Sequence, residues 1–193
     1  VAGVDEAKQE LEEVVGFRAP TFSLDERSAW AIDVLRARGY RYDSSIFPMR
    51  NYLYGLEGCP SRAYHPTGTE LTENHAGEDF LELPMTVLRL AWLRVPVTGG
   101  AYLRAMPLFV LRRLLRRVNA KGRPAVIYLH PWEADRHTPR VKGLSPLERL
   151  VTYYNSGSAL RKLEALLQSF SFGPLREVLG IQGGRLAGRG SRR

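Results

Sequence analysis

The sequence predicts an α/β fold with a parallel sheet, and three observations support this prediction. Predicted helices and strands alternate between residues 4 and 48, the order that is typical of βαβ units. A continuous apolar run at residues 124–129 stops at a histidine and a proline, and it suits a strand buried on both faces of such a sheet. Polar side chains follow the predicted strands at their carboxyl ends, where parallel sheets bind their ligands.

The amino-terminal quarter supplies the alternating elements. They are a helix, a strand, a second helix and a second strand, at residues 4–15, 17–22, 24–38 and 40–47. Each helix ends at a glycine, Gly16 or Gly39. Ser23 and Glu26 have the spacing of a capping box, which places the start of the second helix.

The middle of the chain has fewer regular signals. Residues 49–79 are dominated by Gly, Pro, Asn and Thr and show no period, so they predict a long loop. Such a loop in a compact domain is often functional and otherwise a disordered excursion. A strand is predicted at residues 80–85, and Gly99 with Gly100 marks a turn or a close approach of the backbone to a ligand.

The carboxyl-terminal half is predicted to be mostly helical. A helix that begins at Pro107 and runs to about residue 119 carries leucines at helical spacing on one side and four arginines on the other. A capping box of Ser145 and Glu148 starts another helix, which ends near Tyr154. Further short elements are predicted at residues 159–169, 170–172 and 174–179, the second of these as a strand.

Composition limits the classes of function. The 193 residues suffice for one domain with a real core, and the formal net charge of +8 favours anionic partners such as nucleic acid, membrane surfaces or charged polysaccharide. Cys59 is the single cysteine, which excludes an internal disulfide. We find no secretory leader and no apolar run near the roughly 20 residues of a bilayer span, so we expect a cytoplasmic protein or a piece of a longer one.

Polar groups stand at the ends of three predicted strands, namely Arg18, Asp43 and His130. If these strands are parallel neighbours, the three groups converge on one rim of the sheet. A histidine can give or take a proton near neutral pH, and a carboxylate can orient it. The alternative is that Arg18 and Asp43 pair with each other while His130 bonds to a loop.

Two further patterns have competing interpretations. His130, Glu133 and His137 have a spacing that would suit a metal site on a helix face, but Pro131 argues against a continuous helix there. We therefore predict no metal ligands. The arginine-rich helix face at residues 112–117 predicts a solvated surface, with contact to anionic polymer or lipid headgroups as the rival interpretation.

Several motifs resemble the polysaccharide deacetylases of the NodB type, most closely the exopolysaccharide-locus branch linked to exosortase systems. They occur in order at residues 16–23, 30–35, 39–48, 83–85, 97–107, 123–133 and 174–180. The resemblance implies a distorted (β/α) barrel that hydrolyses acetyl groups from a sugar polymer. It further implies an acetylated polysaccharide or oligosaccharide as partner, and a divalent metal such as zinc in the complete family site.

The resemblance also implies roles for individual residues. In this family an Arg-x-Pro motif forms one wall of the site and its arginine steadies the catalytic base, and the matching residues here are Arg18 and Pro20. A Leu-His motif, matched by Leu129 and His130, supplies the acid that protonates the leaving amine. Asp43 lies where the family often places a residue that tunes this histidine.

Trp132 is a further candidate for substrate binding. It follows the rim histidine directly in the chain, and the face of an indole ring suits a sugar ring. Trp30 and Trp92 are expected to belong to the core.

The sequence departs from the family in its amino-terminal motifs. The Asp-Asp and His-x-x-x-His motifs, which supply the base and the metal ligands, are absent. Residues 1–15 instead resemble the opening of the AAA module of FtsH-type proteases, without the phosphate-binding loop or the His-Glu-x-x-His motif of those enzymes. We therefore expect a leader helix at 1–15, an incomplete barrel with a mostly helical extension at 16–180, and a disordered basic tail at 181–193.

The functional expectation follows from this combination. We expect a polysaccharide-deacetylase-family protein of exopolysaccharide metabolism that is inactive alone. A non-catalytic remnant or carbohydrate-binding module is the alternative, and a nucleic-acid-binding interaction protein is less supported because no motif of that class is present. Exposed edges of an incomplete sheet favour self-association.

Overall fold

The computed structural model describes residues 14–51, 54–90, 93–135 and 137–181. These residues form a mixed α/β arrangement, which confirms the predicted fold class at that level. No closed barrel forms among them. The predicted leader at 1–15 and tail at 181–193 lie outside the described residues except at Val14, Val15 and Ile181.

A small parallel sheet organises the amino-terminal half. It consists of β1 (Gly16–Phe17), β2 (Tyr42–Asp43) and β3 (Leu81–Glu82), in the order β1-β2-β3 and all parallel. The outer side of β3 meets Tyr64 in an antiparallel bridge. The strands are shorter than the predicted ones, and after β1 the chain turns at Pro20, which opens a 3-10 turn.

The connection from β1 to β2 differs in detail from the prediction. It contains the 3-10 turns Pro20–Phe22 and Glu26–Ser28 and the helix α1 (Ala31–Ala37). The predicted capping box of Ser23 and Glu26 is wrong, because Asp25 forms the box instead. Its Oδ1 accepts from Ser28 N at 3.2 Å, and Ser28 Oγ accepts from Asp25 N at 2.9 Å. A carboxylate accepts hydrogen bonds more strongly than a hydroxyl does.

A hairpin and two helices follow the sheet. The hairpin pairs β4 (Val87–Leu90) with β5 (Leu93–Pro96) in antiparallel register. Helix α2 (Gly100–Ala105) leads to α3 (Leu108–Asn119), which confirms the predicted helix and buries Leu111, Leu115 and Val118. We did not predict this hairpin from the sequence.

The predicted strand at residues 124–129 is extended but does not join a ladder. Val126 N donates to Thr86 Oγ1 at 2.7 Å, and Tyr128 N donates to Thr98 O at 3.4 Å. The Thr86 hydroxyl thus accepts a hydrogen bond that a backbone carbonyl of a neighbouring strand would accept in a ladder. The segment still delivers His130 to the surface at its carboxyl end.

Short helices complete the chain. They are α4 (Pro131–Ala134), α5 (Pro146–Tyr153), the 3-10 turn Ser156–Ser158, α6 (Ala159–Leu167) and α7 (Leu175–Val178). The predicted box at the start of α5 is confirmed, because Ser145 N donates to Glu148 Oε2 at 2.8 Å and Glu148 N donates to Ser145 Oγ at 3.3 Å. Residues 170–172, predicted as a strand, have no strand pairing. No described helix has the length and apolar character needed to cross a bilayer.

The long segment 49–79 belongs to the core rather than projecting from it. Leu56, Cys59, Tyr64 and Leu71 are each at most 3% exposed and pack in one cluster with Ile32 of α1. These four buried side chains explain how a segment without regular secondary structure keeps one conformation. The loop prediction is therefore confirmed, and of its two alternatives the disordered excursion does not hold for the described residues.

Candidate functional site

His130 lies on the wall of a cavity of about 480 Å³. The cavity is bounded by the end of the extended segment at 124–130, by α4, by the start of α2 and by α5. Its aromatic wall consists of Tyr54, Tyr102, Tyr128 and Trp132. Two of the cavity residues, His130 and Trp132, were predicted from the sequence. The tyrosines and α5 were not predicted to line this cavity.

The His130 ring is held on three sides. Its Nδ1 lies 3.2 Å from Glu133 Oε2, its face stacks on Trp132 at a centroid distance of 5.3 Å, and Tyr128 meets it edge-on at 5.7 Å. The side chain is nevertheless 53% exposed. Because Nδ1 faces Glu133, the nitrogen that remains for a ligand is Nε2.

Glu133 is itself part of a buried ion pair. Its Oε1 accepts from Arg104 Nε at 2.9 Å, and both side chains are only 1% exposed. From the sequence, Glu133 was predicted only as a possible metal ligand, and no role was predicted for Arg104. One signal was available for Glu133, since it is three residues after His130, where a glutamate accepts from the backbone N–H that starts a helix.

The glycine pair makes room for these side chains. A Cβ on Gly100 would lie 2.0 Å from Glu133 Oε1, and a Cβ on Gly99 would lie 2.8 Å from the Tyr128 ring. Both distances are far inside van der Waals contact. The close approach predicted at these glycines is therefore an approach of the backbone to Glu133 and Tyr128, which are side chains of the site itself.

Arg18 lies at the end of β1, away from the His130 ring contacts. Its Nε donates to Ser44 O and its Nη2 to Ser44 Oγ, each at 2.8 Å. Its guanidinium lies over the Phe22 ring at 5.8 Å, and Phe22 in turn packs against Tyr128 at 4.9 Å. Arg18 is therefore connected to the cavity wall indirectly, because the Phe22 ring lies between it and Tyr128.

Pro20 and Leu129, the other residues predicted to bind substrate, have structural contacts. Pro20 opens the 3-10 turn that carries Phe22. Leu129 is partly buried and packs on the cluster of Leu103 and Leu111 below the cavity. Their predicted contact with substrate stays a prediction.

Asp43 faces Glu82 rather than the His130 ring. Both residues are fully buried, Asp43 accepts from Ser45 Oγ at 2.6 Å, and Glu82 Oε1 accepts from Ile46 N at 3.0 Å. Their other oxygens, Asp43 Oδ2 and Glu82 Oε2, are buried without a donor from the described residues. A proton that Glu82 holds and shares with Asp43 satisfies both oxygens.

The pKa values of this carboxyl pair agree with the shared proton. Burial raises the pKa of Asp43. Burial and then the Asp43 charge raise the pKa of Glu82 well above its usual range. The carboxylate that contacts His130 in the structure is Glu133, and a tuning role of Asp43 stays a prediction.

Glu82→Gln is expected to preserve the pair and remove its pH dependence. The amide oxygen can accept from Ile46 N, and the amide NH₂ can donate to Asp43 in place of the shared proton. Because the pKa of Glu82 is raised on folding, the folded chain binds more protons, so stability falls as pH rises from the unfolded value of about 4.3 toward the folded one. Urea denaturation across this pH window should show that fall in the wild-type chain and a flatter curve in the variant.

Glu164→Gln is the matched control, because Glu164 is exposed on α6. It should retain the wild-type pH dependence. Equal slopes in Glu82→Gln and the wild type would contradict the shared proton.

The described residues do not fit a divalent metal. They contain no group of three or more His, Cys, Asp or Glu side chains placed to hold one. Helix α4 ends at Ala134, so His130 and His137 do not share a helix face. His137 is 96% exposed and lies 3.7 Å from Asp135.

Comparison with known families gives one result. A family model described as "Domain of unknown function (DUF3473)" matches residues 44–180. This range contains every residue that lines the His130 cavity and excludes Arg18, Pro20 and Asp43. Comparison with curated proteins and with solved structures found no match.

Proposed function

The chain belongs to the DUF3473 family, and from this premise we propose that it binds acetylated sugar polymers in the His130 cavity, in a role related to polysaccharide deacetylation. The family is associated with polysaccharide deacetylase-like proteins. The motifs between residues 16 and 180 resemble the same enzymes.

One observation carries the proposal, namely the stack of an exposed imidazole on an indole inside an aromatic cavity. His130 and Trp132 are tilted by only 20° from each other, and Trp132 is 36% exposed. In the same cavity the hydroxyls of Tyr54 and Tyr128 lie 3.4 Å apart. Sugars present apolar C–H faces and many hydroxyls, and a wall of aromatic faces with a few polar groups matches both.

The chemistry available to this chain is proton donation. When an N-acetyl group is hydrolysed, the leaving amine needs a proton, and a histidine in contact with the ligand can supply it. The Nε2 atom of His130 is the nitrogen in position to do so, since Nδ1 faces Glu133. The described residues do not fit the divalent metal that the resemblance implies, so the proposed role of this chain is limited to binding and proton donation.

A binding module without catalysis is the second candidate. It is favoured by the absence of the Asp-Asp and His-x-x-x-His motifs from the sequence. A nucleic-acid-binding role has less support, because Arg112 donates to Ala165 O and Arg116 lies over Phe170, so half of the arginine face contacts the chain itself.

Trp132→Ala is expected to weaken binding of an N-acetylated chitooligosaccharide about tenfold, or about 1.4 kcal/mol. The variant removes an aromatic side chain of the cavity wall, on which the His130 imidazole stacks and against which a sugar ring is proposed to pack. Titration calorimetry on the full chain measures the effect. Trp30→Ala is the matched control, because Trp30 is 59% exposed and does not line the cavity, so the prediction that it belongs to the core is wrong. Absence of binding by the wild type, or equal loss in both variants, would contradict the proposal.

Acetate release tests whether the chain is a deacetylase by itself, which neither candidate expects. The chain alone, with added zinc, is expected to release no acetate from the same oligosaccharide. Turnover that is lost in His130→Ala would instead show that the chain is a deacetylase by itself.

A further inference from the structure

We propose that Arg104 and Glu133 are positioning residues that hold His130 as the Nδ1–H tautomer and reserve Nε2 for the ligand. The inference deepens the function proposed above and rests on it for the identity of the ligand. The tautomer itself can be tested without any ligand.

Glu133 uses both carboxylate oxygens at the site. Oε2 accepts from the His130 backbone N at 3.0 Å and lies 3.2 Å from the ring Nδ1, while Oε1 accepts from Arg104 Nε at 2.9 Å. An ionised carboxylate can only accept hydrogen bonds. The proton of the Glu133–His130 bond therefore belongs to Nδ1 of the ring.

Arg104 holds this carboxylate in place. Besides the bond to Glu133, its Nη1 donates to Tyr154 O at 2.5 Å and its Nη2 to Val151 O at 2.7 Å. All three guanidinium nitrogens thus have acceptors, and two of those acceptors are carbonyls at the end of α5. An arginine stays protonated in proteins, so a positive charge lies against Oε1 of this carboxylate.

A helix-capping role alone does not account for this arrangement. The bond from His130 N to Glu133 is an ordinary cap, which an exposed glutamate or glutamine could make. Burying the cap together with an arginine carries a desolvation cost, and Gly100 must lack a side chain to admit the carboxylate. What the burial adds is a fixed tautomer of the His130 ring, in which Nδ1 is the donor and Nε2 is the acceptor.

The fixed tautomer defines what the cavity offers a ligand. When the imidazole is neutral, Nε2 accepts a hydrogen bond from a hydroxyl or an amine of the ligand. When the imidazole is protonated, Nε2 donates to the same position. Arg104 also ties α5, which lines the cavity with Val151 and Thr152, to the residue that orients His130.

Nitrogen NMR of histidine side chains in the full chain tests the proposal. At about pH 8, where the neutral form of a histidine dominates, the wild-type His130 should be mainly the Nδ1–H tautomer. In Glu133→Gln the guanidinium of Arg104 and the His130 backbone N–H compete for the single amide oxygen. The charged guanidinium is the stronger donor, so the amide NH₂ should face Nδ1 and the tautomer population should move toward Nε2–H. His65 is an internal reference, because its Nδ1 lies 2.9 Å from the Phe80 carbonyl, which can only accept.

Glu148→Gln is the matched control. Glu148 lines the same cavity, and a glutamine keeps its capping box, so the His130 tautomer should not change. A wild-type His130 that is mainly Nε2–H would overturn the proposal, even if Glu133→Gln failed to fold. An unchanged tautomer in folded Glu133→Gln would overturn it as well.

Addition of N-acetylated chitooligosaccharide separates this proposal from the proposed function. The sugar should shift the Nε2 resonance of His130 more than the Nδ1 resonance. A correct tautomer without any response to the sugar would contradict the proposed ligand and leave the positioning role intact.

Discussion

Arg104→Met is expected to lower the free energy of unfolding by about 3–5 kcal/mol, the range for breaking one side of a buried ion pair. Glu133 would lose its cationic partner at a site that is only 1% exposed, and the carbonyls of Val151 and Tyr154 would lose their donors. Urea denaturation followed by circular dichroism measures the change. Arg113→Met is the matched control, because Arg113 is exposed on α3 and its loss should cost less than about 0.5 kcal/mol.

The double variant Arg104→Met/Glu133→Leu distinguishes charge burial from packing. Replacement of a whole buried pair by apolar side chains is often neutral, so the double variant should recover most of the stability that Arg104→Met loses. It should not recover the Nδ1–H tautomer of His130, because no carboxylate remains. A loss below about 1 kcal/mol in the single variant would show that the pair does not support the fold.

Ile32→Ala is expected to lower the free energy of unfolding by about 2–5 kcal/mol. Ile32 is fully buried in α1 and packs with Tyr40, Ile46, Tyr64 and Phe80. This cluster joins residues before position 44 to residues within the DUF3473 match, so one cooperative transition should report the loss. The truncation should therefore affect the whole described unit.

Leu147→Ala is the matched control for this truncation. Leu147 is 58% exposed on α5, and removing the same number of carbons there should change stability by less than about 0.5 kcal/mol. A separate early transition in Ile32→Ala would indicate instead that the segment before residue 44 folds independently of the rest.

Elements with strong local signals were predicted well. Helix α3 follows from its apolar spacing, and the start of α5 follows from Ser145, Pro146 and Glu148. The missed cap at Asp25 shows the limit of the same reasoning, since Ser23 and Asp25 both have capping side chains. The choice depends on the extended backbone of Asp25, with φ −135°, which the path of the chain sets.

The site was predicted in part for a related reason. His130 and Trp132 stand at the end of an apolar segment, and a reader of the sequence can single them out from that position alone. Glu133 is only three residues from His130, yet its bond to the ring was missed because the histidine was paired with Asp43 instead. In the structure Asp43 contacts Glu82, which lies 39 positions later.

The sequence by itself determined the α/β class, the parallel relation of the first strands, the long helix α3 and the position of a histidine at a rim. Each of these depends on periodicity, caps or strand-end residues, which act over a few positions. Only the tertiary structure decided that Arg104, 29 positions from Glu133, holds the carboxylate that orients His130. This ion pair does not follow from local sequence. Its two charges are far apart in the chain, and they can form a buried pair only when the surrounding core excludes water from both.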